Sequence, residues 1–166
     1  MRRRLEGVPV PYLAGTKEFY GRAFAVTPAV MIPRPESEDI VTEALTLLDT
    51  SDALHPIAAD VGTGSGALAV TIALDAPRAR VLATDKSASA LSVARRNARR
   101  HRVSRRVTFF ESDLLTEIPP ELSPHIIVAN LPYVPTDELK HAGDSPDTAG
   151  LPFEPKSALD GGPDGL

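Results

Sequence analysis

The sequence predicts an α/β protein with a Rossmann-like, doubly wound parallel sheet. Four short apolar runs are predicted as strands, and helical segments lie between the first three of them. Strands that are apolar on both faces and alternate with helices are typical of a parallel sheet covered by helices. A glycine-rich turn directly follows the first of these strands, and sheets of this kind bind ligands at that edge.

The elements are predicted in chain order. Residues 1–35 are expected to be a linker with a β-hairpin around Phe19-Tyr20 and Phe24–Val26, and residues 36–166 to be one α/β domain. Pro35 fits the first turn of a helix. The remaining predicted strands are Ile57–Val61, Arg80–Thr84, Arg106–Phe110 and His125–Ala129, and the remaining predicted helices are Ala67–Leu74 and Ala88–Arg100. No regular element is predicted after Tyr133.

Composition limits the possible functions. The 166 residues are 42% hydrophobic and carry a net charge of −4, which argues against a surface that coats nucleic acid. The chain has no cysteine, so disulfides and thiolate metal sites are excluded, and its four histidines have no metal-ligand spacing. No metal is therefore expected. No run approaches the length of a membrane span, so we expect a cytoplasmic protein.

The turn Gly62-Thr63-Gly64-Ser65-Gly66 is the first candidate binding segment. Glycine tolerates positive φ and lacks the Cβ that would block a ligand, and the next helix presents free N–H groups. The spacing is G-x-G-x-G rather than the G-x-G-x-x-G of dinucleotide-binding proteins. A nucleoside cofactor and a purely structural turn both remain open on this loop alone.

Polar residues end the next two predicted strands. Asp85 follows the second strand, where a carboxylate can accept hydrogen bonds from two ribose hydroxyls. Its alternative role is the N-cap of the next helix, although Ser87 is available for that role. After the third strand, Asp113 is placed to accept from an adenine amino group and Leu114 to pack on the ring. Because these residues share one edge of the sheet, together they favour a nucleoside ligand.

Asn130-Leu131-Pro132-Tyr133 follows the fourth predicted strand and suits the binding of a planar NH₂ group. The Asn130 side-chain oxygen and the Leu131 carbonyl would accept from the two N–H groups, and Tyr133 would cover the flat face. Pro132 would stiffen the loop. If the reaction is the transfer of a methyl group to that nitrogen, catalysis would consist mainly of holding the NH₂ group in position, with no strong base required. The alternative is a β-turn with a buried tyrosine.

These segments, with three others, resemble the PrmC/HemK family of release factor glutamine methyltransferases. Gly7–Gly15 resembles the segment that precedes that family's catalytic domain. Met31–Glu38 resembles its I-P-R-P-E-T-E signature with serine at position 37, and the final segment of this sequence, Ala158–Gly165, also fits the family. The resemblance covers nearly the whole chain.

The resemblance implies a class I S-adenosylmethionine-dependent methyltransferase fold and methylation of a glutamine side-chain amide in a peptide chain release factor. S-adenosylmethionine would contact Gly62–Gly66, Asp85, Leu114 and Asn130, and the substrate glutamine would be held by Asn130–Tyr133. The 33–38 segment would shape the pocket wall. We expect the fold to be truncated at its C-terminal strands, because four parallel strands are predicted where the family has seven strands.

Three alternatives remain open from the sequence. Leucine at position 131 replaces the family's proline, and the resulting N-L-P-Y resembles the RNA adenine dimethyltransferases. An RNA or DNA adenine N6-methyltransferase is therefore the second candidate, with some support from seven arginines between Arg95 and Arg106. A solvated helix end explains those arginines better. A ribosomal-protein glutamine methyltransferase and a non-catalytic cofactor-binding domain are the others.

Overall fold

The structure, a computed structural model, describes residues 2–144 and 148–165, without the side chains of residues 2 and 3. The strands are β1 (Thr16–Phe19), β2 (Arg22–Ala25), β3 (Ile57–Val61), β4 (Arg80–Asp85), β5 (Val107–Glu111) and β6 (Ile126–Ala129). The helices are α1 (Arg2–Leu5), α2 (Val10–Ala14), α3 (Ser37–Asp49), α4 (Ala67–Asp75), α5 (Ala88–Arg100) and α6 (Thr136–Leu139). The predicted α/β fold is confirmed, and the four core strands lie within one residue of their predicted positions.

The central sheet has four parallel strands in the order β5-β4-β3-β6. The strands end level with one another: Val61 pairs with Thr84 on one side and with Ala129 on the other. Thr84 in turn pairs with Phe110. Because the strands are parallel and in step, the loops that follow them meet at one edge of the sheet.

Three long helices cover this sheet. The α4 helix is buried along Ala67–Ala73, as expected for a helix that is apolar on every side. The α5 helix is amphipathic and ends in Arg99 and Arg100, where positive charge complements the C-terminal end of the helix dipole. The α3 helix packs against α4 and β6. No helix in the described part of the chain is long and apolar enough to cross a membrane.

The predicted hairpin is formed by β1 and β2, which pair antiparallel. Phe19 and Phe24 pack edge to face, with ring centroids 6.1 Å apart, inside the same core as the central sheet. Asn97 on α5 attaches this hairpin, because its side chain exchanges two hydrogen bonds with the backbone of Ala25, at 2.8 and 2.9 Å. The hairpin and the sheet therefore share a core.

The segment after Tyr133 has more regular structure than the sequence predicted. The short helix α6 follows Pro135, and single helical turns occur at Leu151–Phe153 and Lys156–Ala158. Val134 also forms an isolated parallel bridge with Asp160. The prediction of no element here was wrong, as was an element-free start before the hairpin, because helices of four or five residues are too short to show a periodic pattern.

One side of β6 has no partner strand among the described residues. Ile127 in this strand is 57% exposed, whereas its neighbour Val128 is buried. The sequence predicted an unpaired edge at this strand, and the described sheet has one. The site therefore combines loops that follow the two interior strands, β3 and β4, with loops that follow the two edge strands, β5 and β6.

Candidate functional site

A cavity of about 620 Å³ lies at the edge of the sheet where the four parallel strands end. Its volume is within the range of roughly 300–1,000 Å³ typical of ligand sites. Most of the predicted site residues contribute to its walls. The lining includes Val30, Met31, Pro33, Ser37, Gly62, Thr63, Gly64, Ser65, Leu68, Asp85, Ser112, Asp113, Leu114, Asn130, Leu131, Pro132, Ala158 and Asp160.

The glycine-rich loop forms the floor of the cavity. Its course is fixed by a hydrogen bond from the Thr63 N–H to the Thr84 carbonyl, at 2.8 Å, which ties the loop to β4. Gly64 has φ of +54°, and a Cβ at this position would meet only the Gly62 carbonyl, at 3.9 Å. The face of Gly64 is thus open for a ligand, and a left-handed backbone favours glycine there.

Gly66 has a different reason for being glycine. It lies where α4 begins, with φ of +78°, and a Cβ there would be 3.0 Å from the Cβ of Ala94 on α5. Gly66 is not among the residues that line the cavity. The structure therefore assigns it to helix packing, whereas Gly62, Thr63, Gly64 and Ser65 of the predicted cofactor loop do reach the cavity.

Asp60 lies beneath this loop and is fully buried. One of its carboxylate oxygens accepts from the Thr63 hydroxyl at 2.6 Å and from the Ala69 N–H at 3.1 Å. Burial raises the pKa of the Asp60 carboxyl to about 6, although those hydrogen bonds oppose the shift, and the nearby charge of Asp85 adds to it. Asp60 thus braces the turn and the start of α4 from within the protein.

Asp85 joins the glycine loop to the start of α5. One carboxylate oxygen accepts from the Gly64 N–H and the other from the Ser87 N–H, each at 2.9 Å. The hydroxyl of Ser87 caps α5 by accepting from the Ala90 N–H, as the sequence predicted. Each carboxylate oxygen uses one lone-pair site for these bonds, and Asp85 lines the cavity, so both oxygens have capacity for a ligand's hydroxyl groups.

The loop after β5 forms a third side of the cavity. Asp113 makes an exposed ion pair with Lys86, at 2.9 Å. Leu114 has φ of +51°, which is uncommon for a leucine, and its side chain is half-exposed at the cavity. Ser112 is buried and its hydroxyl accepts from the Glu117 N–H. The loop thus presents a carboxylate and an apolar side chain together, as predicted.

Asn130 lies beside the start of the glycine loop, because Ala129 pairs with Val61 on the neighbouring strand. Its side-chain Nδ2 donates to the Ser37 hydroxyl at 2.9 Å. Among the described residues, no group donates to Asn130 Oδ1 or to the Leu131 carbonyl. Leu131 and Pro132 also line the cavity, and the Leu131 side chain approaches within 3.0 Å of the point where a Gly62 Cβ would lie. The glycine loop and the 130–132 segment therefore lie against each other.

Tyr133 is not brought to the cavity. Its side chain is 68% exposed, and it is absent from the lining residues. The backbone around it is tied to the C-terminal segment instead: the Val134 N–H donates to the Leu159 carbonyl, and the Gly161 N–H donates to the Val134 carbonyl, each at 3.0 Å. The role of Tyr133 as a cover for the substrate remains a prediction that this placement does not support.

The C-terminal segment supplies site residues that the sequence reasoning did not identify. The Asp160 carboxylate accepts from the Thr136 hydroxyl at 2.6 Å and from the Gly162 N–H at 3.0 Å. The hydrogen bond from Thr136 is the main reason that the pKa of Asp160 is lowered. Asp160 lies within the Ala158–Gly165 segment that resembles the family, and its pairing with Thr136, 24 positions away, leaves no local signal.

Glu154 was missed altogether. Its carboxylate pairs with Arg34 at 2.6 Å and accepts from the Ile32 N–H at 2.9 Å, with only 2% of its side chain exposed. It thus holds the 31–38 segment, and Pro33 and Ser37 of that segment line the cavity, as the sequence predicted for the pocket wall. The available signal was an acidic residue between the apolar Phe153 and Pro155.

Two of the clustered arginines have partners within the chain. The Arg95 guanidinium lies over the Phe109 ring, 5.5 Å from its centroid. The Arg106 guanidinium donates to the Ala73 carbonyl in the last turn of α4. These contacts favour a structural role for those two side chains over a phosphate-binding one.

Comparison with known proteins is consistent with this geometry. Residues 37–142 match the model of the methyltransferase small domain. The chain is 46% identical over 168 residues to the release factor glutamine methyltransferase of Moorella thermoacetica, covering 99% of this chain and 55% of that protein. It is 44% identical to the enzyme of that name from Burkholderia pseudomallei, covering 99% of this chain and 56% of that protein. The resemblance drawn from the motifs is confirmed.

The fold has counterparts among solved structures. The hMettl16 catalytic domain, in complex with the MAT2A 3'UTR hairpin 6, superimposes with a TM-score of 0.64 and 12% sequence identity. That match covers 95% of this chain and 66% of the other. An identity this low supports the fold alone, and the predicted Rossmann-like class I methyltransferase fold is confirmed. The chain spans about half the length of the curated relatives it matches.

Proposed function

Because this chain belongs to the methyltransferase small domain family, we propose that it methylates the side-chain amide nitrogen of a glutamine, with S-adenosylmethionine as the methyl donor. The substrate protein in this proposal is a peptide chain release factor, the substrate that the names of the curated relatives give. One observation carries the proposal: among the residues that the structure describes, nothing donates to Asn130 Oδ1 or to the Leu131 carbonyl, and both residues line the cavity that the glycine loop also lines.

The glycine-loop side of the cavity fits S-adenosylmethionine. Gly64 leaves open space beside the backbone, and Asp85 offers carboxylate oxygens for two ribose hydroxyls. Asp113 is placed to accept from the adenine amino group, and Leu114 to pack on its ring. The Ser65 backbone and the start of α4 lie where the amino-acid part would extend. This assignment uses four of the five predicted loop residues and leaves Gly66 to packing.

The Asn130 side would hold the glutamine amide. S-adenosylmethionine, when bound, supplies an electrophilic methyl group. The amide nitrogen is a poor nucleophile because its lone pair is delocalised, so Asn130 Oδ1 and the Leu131 carbonyl would accept from its two N–H groups and fix its direction. Pro132 stiffens the loop that carries this carbonyl. As the C–N bond forms, the methyl group's bond to the donor's sulfur would break and leave its electron pair on the sulfur. The nitrogen becomes acidic and its proton leaves to water, so no side-chain base is required.

Glutamine is favoured over adenine for two reasons. The curated relatives matched here are named as glutamine methyltransferases. The 31–38 segment also lies in the cavity wall, through Pro33 and Ser37. Leu131 is the feature that favours adenine, because N-L-P-Y resembles the RNA adenine dimethyltransferases. A cytoplasmic location is part of the same proposal.

A transfer assay tests the proposal. The chain is incubated with S-adenosylmethionine labelled on its methyl group and, in turn, with a release factor, with a release factor whose target glutamine is alanine, and with total RNA. We expect label only on the unmodified release factor. Label on RNA alone would indicate the adenine reaction. Calorimetric binding of S-adenosylmethionine without any transfer would indicate a non-catalytic binding domain.

A further inference from the structure

The charged residues that line the cavity are mostly acidic. Within the described part of the chain they are Asp85, Lys86, Asp113 and Asp160. Lys86 and Asp113 offset each other in an ion pair at 2.9 Å. The carboxylates of Asp85, where β4 ends, and of Asp160, in the C-terminal segment, therefore give the lining an excess of negative charge. Such a lining favours a ligand that carries positive charge.

Asp160 lies at the end of the cavity where the substrate amide is proposed to bind. It forms the parallel bridge with Val134, just after the amide-binding segment. Its neighbour Gly161 lies against Pro132, because a Cβ on Gly161 would be only 2.9 Å from the Pro132 carbonyl oxygen. In the proposed reaction the transferred methyl group must face the amide that Asn130 holds, so the positive sulfur that carries this group lies toward the same end. Asp160 is therefore the lining carboxylate on the substrate side.

The Asp160 carboxylate is held in place in its charged form. One oxygen accepts from the Thr136 hydroxyl and from the Gly162 N–H, and chiefly the Thr136 bond lowers the pKa of Asp160. The carboxylate is thus ionised near neutral pH. Its other oxygen lies 3.5 Å from the ammonium group of Lys156, whose side chain is 72% exposed. Solvent screens an exposed pair of this kind, so Lys156 offsets only part of the negative charge.

We propose that Asp160 is a specificity-determining residue, whose charge makes the cavity prefer S-adenosylmethionine over the product that remains after methyl transfer, S-adenosylhomocysteine. The inference rests on the proposed function, since that function supplies the methyl donor. The donor carries a positive sulfonium, whereas the product has a neutral sulfur, because the electron pair of the broken bond stays on it. The two molecules are otherwise alike apart from the methyl group. Asp160 therefore favours replacement of the spent product by a new donor molecule.

Two substitutions change the charge at this position in opposite directions. Asp160→Asn removes the negative charge and keeps a side-chain oxygen that can accept from the Thr136 hydroxyl and the Gly162 N–H. Lys156→Gln removes the positive charge beside the carboxylate and leaves Asp160 itself unchanged. An effect of charge should therefore have opposite signs in the two variants, whereas a disturbance of the C-terminal segment should act in the same direction in both.

Calorimetry with each of the two compounds measures the ratio of their affinities, donor over product. We expect Asp160→Asn to lower this ratio about tenfold, through weaker binding of the donor. Lys156→Gln should raise it about threefold, a smaller effect because Lys156 is exposed. The matched control is the ion pair of Asp137 and Lys140 on α6, which does not line the cavity. Asp137→Asn and Lys140→Gln should each leave the ratio unchanged.

The affinity ratio decides the inference without any methyl transfer. An unchanged ratio in Asp160→Asn would overturn it, even if both compounds bind more weakly, because Asp160 would then only hold the segment. A ratio that falls in both Asp160→Asn and Lys156→Gln would overturn it as well. Should Asp160→Asn fail to fold, Lys156→Gln decides, and an unchanged ratio in that variant would contradict the inference. Binding of neither compound by the folded, unmodified chain would instead refute the proposed function, and this inference with it.

Discussion

The two sides of the cavity are held in different ways. On the proposed cofactor side, the glycine loop is held by Asp60 and Asp85, which belong to the adjacent central strands β3 and β4. On the substrate side, Asn130 follows the edge strand β6 and is held by Ser37. The backbone just after it is held by the C-terminal segment. The first side is braced within the sheet, and the second is braced by distant parts of the chain.

This difference predicts which substitutions should affect the whole fold and which should act only locally. A change on the cofactor side acts on buried central strands, so it should alter the stability of the whole fold as well as cofactor binding. A change on the substrate side acts on an edge strand and on contacts made across the surface, so it should alter methyl transfer or local order with little effect on cofactor binding. The following predictions test this division, beginning with the largest effect.

The largest effect is expected from Asn130→Ala. Without Oδ1 the substrate amide loses one of its two acceptors, and removal of one such oriented group typically lowers the rate by roughly 10²–10³. Labelled methyl transfer to a release factor measures it, and calorimetry with S-adenosylmethionine should show nearly unchanged affinity. Asp137→Ala, at an exposed position of α6, is the control. A loss of cofactor affinity as large as the loss of transfer would contradict the division.

The second prediction concerns Asp60 and pH. Because the folded-state pKa of Asp60 is raised to about 6, the folded state retains a proton that the unfolded state loses near pH 4. The stability from this proton is fully present below that pH and is lost as pH rises through about 6. Its loss amounts to about 3 kcal/mol.

Urea unfolding of the unmodified chain and of Asp60→Asn is measured between about pH 4 and pH 7. The difference between their free energies of unfolding gives the contribution of the Asp60 proton. We expect the unmodified chain to lose stability relative to the variant as the pH rises. A difference in the free energy of unfolding that does not vary with pH would show that Asp60 is ionised throughout this range. Burial would then not raise the pKa of Asp60 in the folded protein.

The third prediction is for Glu154→Gln. The variant loses the charge that pairs with Arg34, and because Arg34 is one-third exposed, solvent screening limits the cost to about 2 kcal/mol. We expect faster hydrogen exchange in residues 30–37, measured by mass spectrometry, with little change in the glycine loop. Glu121→Gln, at an exposed position, is the control. Equally faster exchange in both regions would show that the two sides are not held separately.

The smallest effect is expected from Asp85→Asn. An asparagine at this position turns an NH₂ group toward the N–H of Gly64 or of Ser87 and offers the ribose one acceptor oxygen fewer. We expect calorimetric affinity for S-adenosylmethionine to fall about tenfold, with transfer recovered at saturating cofactor. Asp52→Asn is the exposed control. Unchanged affinity would show that Asp85 serves only to cap α5 and brace the loop.

Much of the cofactor side was predictable because its signals are local. Apolar runs of four to six residues located β3, β4, β5 and β6 within one residue, and Gly62–Ser65 followed directly from the turn after β3. Gly66 was predicted to contact the cofactor, but it lies against Ala94 and does not line the cavity. The sequence did not show this packing, because Ala94 is distant in the chain. Tyr133 was predicted to cover the substrate, but its side chain is exposed. The sequence did not show this, because the placement of Tyr133 depends on the C-terminal segment that pairs with the neighbouring Val134.

The substrate side was only partly predictable. The sequence placed Asn130, Leu131 and Pro132 at the end of a strand, and the structure brings all three to the cavity. Ser37 and Glu154 were not identified as holding residues, since their partners lie 93 and 120 positions away. Hydrogen bonds over such separations leave no periodic or motif signal within a short window.

The sequence by itself determined the parallel α/β sheet, the glycine loop and the position of Asn130, Leu131 and Pro132 at the end of a strand, because strand and helix periods and the preferences of glycine and proline act within a few residues. Only the tertiary structure decided which residues hold the Asn130 side chain and the segment beside it. The physical reason is that a hydrogen bond needs its two partners close in space, whatever their separation in the sequence. For Asn130 that partner is Ser37, at the start of α3 and 93 positions earlier in the chain.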